Sequence, residues 1–102
     1  MSDAKSPIET FLGSLSTPSP PIDAAPLLHA VWHGLRGEWE RAHAIVQELE
    51  GADAAWVHGW LHRIEGDPGN AGYWYRRAGR SMGHGDTTAE GQAIAAALLG
   101  RR

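Results

Sequence analysis

Histidines are the residues of this chain whose spacing points most clearly to chemistry. Four of its six histidines form two pairs, His29/His33 and His58/His62, whose members are four positions apart. On a helix this spacing places both imidazoles on one face, where they can bind zinc, nickel or copper. A single four-histidine site would require the two helices to be neighbours with both histidine faces turned inward. We expect instead that the histidines flank the core, partly exposed, and hydrogen-bond to neighbouring helices, with no metal or other cofactor bound.

Aromatic and basic side chains are concentrated between residues 56 and 80. On a helix, Tyr73 would share an outward face with the arginines that follow it, and such a face can stack on a base or hold a carboxylate or phosphate. The structural alternative is that arginine stems cover the rims of tryptophan and tyrosine rings, with nearby glutamates as ion partners. The predicted ligand-binding residues combine the histidines with this group: His43, His58, His62, Tyr73, Arg76 and Arg77.

Several kinds of catalysis are excluded by what the chain lacks. It has no cysteine, which rules out a thiol nucleophile, a Cys-ligated zinc ion and an iron–sulfur cluster. Neither histidine pair has the His-Glu-x-x-His pattern of metalloproteases, and Ser81 lies in a glycine-rich loop rather than on a nucleophile elbow. The stretch from Gly79 to Gly85 lacks the Gly-Lys-Ser/Thr ending of a phosphate loop. The sequence therefore favours a protein that is not an enzyme.

Charge and hydropathy indicate where the protein is located. The net charge of −3 gives no general attraction to nucleic acid or anionic lipid. The longest apolar run, Ala93–Leu99, has seven residues, whereas a membrane span needs about 20. The first residues contain no apolar stretch typical of a secretory signal. We expect a cytoplasmic protein that binds neither nucleic acid nor membrane.

Apolar side chains recur with the period of a helix from Asp23 onward, and no stretch alternates with period two, so the predicted fold class is all-α. The predicted helices lie near residues 24–36, 38–50, 53–65, 68–80 and 87–99. Trp32, Trp60 and Trp74 lie on the apolar stripes and are predicted core residues. Residues 1–22 include three prolines in six positions and are predicted to be mostly flexible. They carry at most one short helix, opened by Ser6-Pro7 and either docked or frayed, and residues 23–102 form the domain.

Glycines and caps divide these helices. Gly37, Gly51 and Gly66 follow the ends of apolar stripes, where a residue with positive φ can close a helix. Asp53 and Asp67 are predicted N-caps, and Thr87-Thr88-Ala89-Glu90 has the spacing of a capping box. The short turns at Gly37 and Gly66 favour antiparallel neighbours. The sequence thus predicts two antiparallel helical hairpins followed by a C-terminal helix.

The two predicted hairpins resemble each other at an offset of 29 residues. This offset superposes His29 on His58, His33 on His62, Gly37 on Gly66 and Ala42 on Ala71. The Gly37-Glu38-Trp39 turn with Ala42, and the later set Gly59, Gly66-Asp67, Ala71, Tyr75 and Ala78, resemble the tetratricopeptide-like family over residues 26–80. The offset is shorter than the 34 residues of that repeat. The resemblance implies stacked helical hairpins.

A second resemblance covers Trp56–Arg63, Gly66-Asp67, Asn70-Ala71 and Tyr73–Arg80. These residues are similar to a group of small uncharacterised bacterial proteins, which implies no particular activity.

Two functions fit these observations. The first is a non-catalytic helical-repeat module that binds a protein partner or a second copy of itself. A homodimer is expected because two repeats leave both ends of the stack uncapped, and the C-terminal helix has a small-residue outer surface. The second is a protein that binds a small ligand or a metal in a pocket rich in His, Trp and Arg. The two differ in whether those side chains converge on a concave cavity or splay outward.

Overall fold

A computed structural model describes residues 6–100 of the chain. These residues form six α-helices and no strand, which confirms the all-α fold class. The helices are α1 (Pro7–Gly13), α2 (Pro26–Leu35), α3 (Trp39–Val46), α4 (Ala52–Glu65), α5 (Pro68–Ala78) and α6 (Thr87–Leu99), with a 3-10 turn at Ser14–Ser16. Each of the five predicted helices is present, with ends shifted by at most four residues.

The glycines predicted to end helices have the backbone that the prediction requires. Gly37, Gly51 and Gly66 have φ values of 80°, 106° and 85°, which side-chain-bearing residues rarely adopt. Ser6 caps α1 in a reciprocal capping box with Glu9. Asp67 caps α5 by accepting a hydrogen bond from the backbone N–H of Asn70.

Two predicted caps are wrong. Asp53 lies inside the first turn of α4, whose N-cap is Gly51. Asp86, rather than Thr87, caps α6 by accepting from the backbone N–H of Ala89. Glu90 does not take part in a capping box, because its carboxylate accepts hydrogen bonds from other helices.

Glu90 joins α6 to α4 and α5. Its carboxylate accepts hydrogen bonds from the guanidinium of Arg63 and the hydroxyl of Tyr75. Burial, and then the hydrogen bond to Glu90, raises the pKa of Tyr75 above its ordinary value, so the phenol keeps its proton. Through this network the face of α5 that carries Tyr75 is hydrogen-bonded to α6, and the opposite face of α5 is exposed.

Packing between neighbouring helices organises the body of the molecule. α2 packs mainly on α3 and α4 mainly on α5, while α6 packs against both α2 and α4. Trp60 of α4 lies in the core, where its indole packs directly against the backbone at two glycines, Gly34 and Gly91. A Cβ on Gly34 would come within 2.7 Å of the Trp60 ring, and one on Gly91 within 2.3 Å. The absence of side chains at these two positions lets α2 and α6 approach α4 closely.

The predicted tryptophan core is confirmed at two positions of three. Trp32 and Trp60 are each 1% exposed, but Trp74 is only half-buried. Its neighbour Tyr75 is 1% exposed and takes the core position on α5. Since successive helical residues point about 100° apart, burying Tyr75 turns Trp74 toward the rim.

The N-terminal segment is docked on the helical body. Phe11 of α1 is 3% exposed, and α1 packs against α6. The indole N–H of Trp32 donates to the hydroxyl of Ser14 over 3.0 Å, and Arg36 donates to the carbonyl of Leu15 over 2.8 Å. The short N-terminal helix is therefore docked and not frayed. The division of the chain into residues 1–22 and 23–102 stays a prediction.

Among residues 6–100, none of the helices combines the length and the apolar character needed to cross a membrane.

Candidate functional site

Three imidazoles meet where α3 packs on α4. His58 and His62 lie one turn apart on α4, and His43 of α3 faces them. One ring nitrogen from each lies within 4.8 Å of those of the other two. Nε2 of His43 and Nε2 of His58 are 3.1 Å apart, a hydrogen bond in which one donates and the other accepts. These three residues are called the histidine cluster.

Tryptophans hold the rings of the histidine cluster from two sides. Trp39 stacks on His43 with ring centroids 4.6 Å apart, and Trp74 stacks on His58 at 3.8 Å. The indole N–H of Trp39 donates to the carbonyl of Leu61 over 2.6 Å, which ties α3 to α4. The imidazoles are therefore held by packing as well as by hydrogen bonds.

A carboxylate orients the third imidazole. Nδ1 of His62 donates to the carboxylate of Glu65 over 2.6 Å. This bond fixes the tautomer and leaves Nε2 of His62 as the nitrogen with a free lone pair. The ring itself is buried, whereas Glu65 is exposed.

Burial lowers the pKa of two imidazoles of the cluster. Burial, and then the neighbouring imidazoles of His43 and His62, lowers the pKa of His58 to about 4. Burial and the charge that His62 would carry also lower the pKa of His43 below its ordinary value. His58 is therefore neutral at pH 7, and the pKa of His43 moves in the same direction.

A cavity of about 620 Å³ opens beside the cluster. His58, Trp74 and Arg77 line it, together with residues just before α4 and in its first turn: Leu49, Glu50, Gly51, Ala52, Ala54 and Ala55. The guanidinium of Arg77 lies 5.4 Å from the centre of the Trp74 ring. We call this space the α4–α5 cavity.

The six predicted ligand-binding residues separate into three groups. His43, His58 and His62 come together in the cluster, and Arg77 reaches the same cavity as His58. Tyr73 is 45% exposed and accepts a hydrogen bond from Arg77 over 3.1 Å, but it does not line the α4–α5 cavity. Arg76 is exposed and does not line that cavity either.

Arg77 of α5 and Arg80, two residues beyond the end of α5, cover aromatic rings. The guanidinium carbon of Arg80 lies 3.5 Å from the centre of the Trp56 ring, and Arg77 lies over both Tyr73 and Trp74. The glutamates in ion pairs within residues 6–100 are Glu38, Glu65 and Glu90, and their partners are not the arginines of α5.

The expectation of partly exposed histidines is wrong for three of them. His33, His58 and His62 are 9%, 7% and 5% exposed, because each lies under an aromatic ring or another imidazole. The two pairs do not combine into a four-histidine site. His29 donates to the carbonyl of Pro21 over 3.2 Å and His33 to Glu38 over 2.6 Å, so both are used locally.

Sequence reasoning missed the supporting residues of the cluster. Trp39 and His43 are four apart, which places both on one face of α3, and this spacing was a signal that could have been used. Glu65 follows His62 at a spacing of three, which also favours contact on a helix. The stacking of Trp74 on His58 had no comparable signal, since those residues are on different helices.

The chain matches no family model, no curated protein and no solved structure, so its function rests on the geometry of the cluster and the cavity.

Proposed function

We propose that this protein binds a small anionic ligand in the α4–α5 cavity. One observation supports the proposal above the others: His58, Trp74 and Arg77 converge on a single concavity instead of splaying outward. Its volume of about 620 Å³ lies within the 300–1,000 Å³ typical of small-molecule sites.

The walls of the cavity favour a carboxylate or phosphate group. Arg77 contributes a guanidinium, which pairs with such groups through two parallel hydrogen bonds. Gly51, the N-cap of α4, provides no side-chain cap, so the first turn of α4 presents backbone N–H groups at a positive helix end. Glu50, also on the cavity wall, can accept hydrogen bonds. A ligand with hydrogen-bond donors next to its anionic group could pair with both Arg77 and Glu50.

Calorimetric titration with benzoate and phenyl phosphate tests this proposal. Each probe joins an anionic group to a planar ring. We expect saturable binding to the unaltered protein and an affinity at least about tenfold lower in Arg77→Gln, since a hydrogen bond to a charged group contributes about 1.5–3 kcal/mol.

Arg76→Gln is the matched control, because Arg76 is the next residue on the same helix and does not line the cavity. Its affinity should equal that of the unaltered protein. Equal weakening in both variants would contradict the proposal, as would an absence of saturable binding.

The arrangement that we propose for the body is two helical hairpins of tetratricopeptide-like type, α2 with α3 and α4 with α5, followed by α6. Short connections support it, since three residues separate α2 from α3 and two separate α4 from α5. The dominant packing of α2 on α3 and of α4 on α5 agrees with it.

Binding of a protein partner or a second copy is a further candidate function, favoured by the outer surface of α6. Ala93, Ala96 and Gly100 are exposed there, and small residues permit close helix packing. A homodimer at micromolar concentration is the expected result of light scattering. A monomeric mass across that range would contradict the homodimer. The apolar surface of α6 would then be covered by α1, which packs on it.

A further inference from the structure

We propose that His43, His58 and His62 bind one divalent transition-metal ion, of which zinc is the best fit. This site goes beyond the ligand cavity, with which it shares only His58. Imidazole nitrogens suit zinc, cobalt and nickel, and three protein ligands leave one tetrahedral position to water or another small ligand.

The distances between the ring nitrogens are close to those of a zinc site. Zinc–nitrogen bonds of about 2.0–2.1 Å at tetrahedral angles put two ligand nitrogens about 3.3 Å apart. Nε2 of His43 and Nε2 of His58 are already 3.1 Å apart. The three nitrogens lie within 4.8 Å of one another, so bringing them around one ion requires shifts of about 1–2 Å.

The scaffold restricts those shifts to the side chains. All three histidines lie within helices, and the Trp39 indole bonds α3 to the Leu61 carbonyl of α4. Stacking by Trp39 and Trp74 keeps the rings of His43 and His58 in their planes. A site on rigid elements with packed ligands loses little conformational entropy on binding.

The hydrogen bond from His62 to Glu65 has the form found around zinc-bound histidines. A carboxylate that accepts from the distal ring nitrogen fixes the tautomer and makes the metal-facing nitrogen more basic. Here Nδ1 of His62 is the distal nitrogen, at 2.6 Å from the carboxylate. The carboxylate also supplies a negative charge next to the cation.

A second group of possible ligands is weaker. Glu65 and Asp67 also lie near His62, but both are exposed. Asp67 is already the N-cap of α5, and Glu65 already accepts from His62. These two carboxylates have structural uses, whereas the three imidazoles of the cluster each bring a ring nitrogen within 4.8 Å of those of the other two.

Titration of the chelator-treated protein with Zn²⁺ alone tests the site. We expect one ion per chain and a rise in Tm with free Zn²⁺, since a ligand of the native state stabilises it. Co²⁺ should give the intense visible absorption of a four-coordinate site. His43→Ala should lose more affinity than the 10–100-fold typical of an outer partner, and His43 is only half-buried, so its loss should leave the fold intact.

His29→Ala is the matched control, since His29 is half of an equally spaced pair outside the cluster. Its Zn²⁺ affinity should not change, and neither should that of Arg77→Gln, which keeps this test separate from that of the anion cavity. His62→Gln, with circular dichroism as a check of folding, provides a second variant that should lose affinity. Absence of stoichiometric Zn²⁺ binding, or equal losses in His43→Ala and His29→Ala, would overturn the proposal.

Discussion

The histidine pairs of α2 and α4 have the same spacing and correspond at the 29-residue offset, yet they have different surroundings. On α2, His29 donates to the carbonyl of Pro21 and His33 to the carboxylate of Glu38. On α4, His58 and His62 stack on each other, with ring centroids 5.1 Å apart, and both contact His43. Helical spacing places two imidazoles on one face, but the element packed against that face decides what they do.

The element that precedes each helix explains the difference. α4 follows α3, which supplies His43 and the Trp39 ring stacked on it. α2 follows the proline-rich segment, which supplies a backbone carbonyl at Pro21. A carbonyl accepts hydrogen bonds but cannot donate one, so it ends the network, whereas an imidazole can both donate and accept.

The α2–α3 and α4–α5 helix pairs also differ in how their core volume is divided. At the 29-residue offset, Ala30 corresponds to Gly59 and Val46 to Tyr75, and the side chains of Ala30, Val46 and Tyr75 are all buried. A Cβ on Gly59 would lie 2.8 Å from the Tyr75 ring. In the α4–α5 pair, the missing methyl group on α4 thus leaves room for a larger ring on α5, and the hydroxyl of that ring donates to Glu90.

The largest effect on stability that we expect concerns this exchange of volume. Gly59→Ala should lower the free energy of unfolding by about 2 kcal/mol, because overpacking costs about 1–3 kcal/mol and outweighs the better helix propensity of alanine. The Tyr75 ring cannot move aside freely, since it is 1% exposed and its hydroxyl is bound to Glu90. Urea denaturation gives the measurement.

Gly72→Ala on α5 is the matched control. The atom nearest to its Cβ is the flexible end of Arg76 at 3.4 Å, so alanine should stabilise the helix by about 1 kcal/mol. If both variants were stabilised, Gly59 would not be a close-packing position and the volume comparison would fail.

Much of the fold follows from local patterns in the sequence. The helical period located α2 to α6, and the positive φ of Gly37, Gly51 and Gly66 agrees with their predicted role as helix ends. Local patterns could not show which of several possible partners a side chain bonds to. Glu90 has capping-box spacing, but Arg63 and Tyr75 bind its carboxylate, and both come from distant parts of the chain.

The candidate site shows the same division. The sequence predicted the three histidines and Arg77 among the candidate ligand-binding residues, because residue type and helical face are local properties. It did not show that His58 and His62 would be buried, nor that Tyr73 and Arg76 would lie outside the α4–α5 cavity. Both depend on the rotation of α4 and α5 about their axes, which is set by Trp60 and Tyr75 in the core.

The smallest effect on Zn²⁺ binding that we expect separates the two histidine pairs by their carboxylates. Glu65 and Glu38 each bind Nδ1 of a histidine at 2.6 Å, but only His62 belongs to the histidine cluster. Glu65→Gln should weaken Zn²⁺ binding about tenfold, the lower end of the range for an outer partner, because an amide can still accept the hydrogen bond but lacks the charge. Glu38→Gln should leave Zn²⁺ affinity unchanged, although it removes a carboxylate whose pKa is lowered chiefly by the hydrogen bond from His33. Calorimetric titration of both variants measures the difference. Similar losses in both would mean that zinc binds through general surface charge, and the comparison between the two pairs would then carry no information about a site.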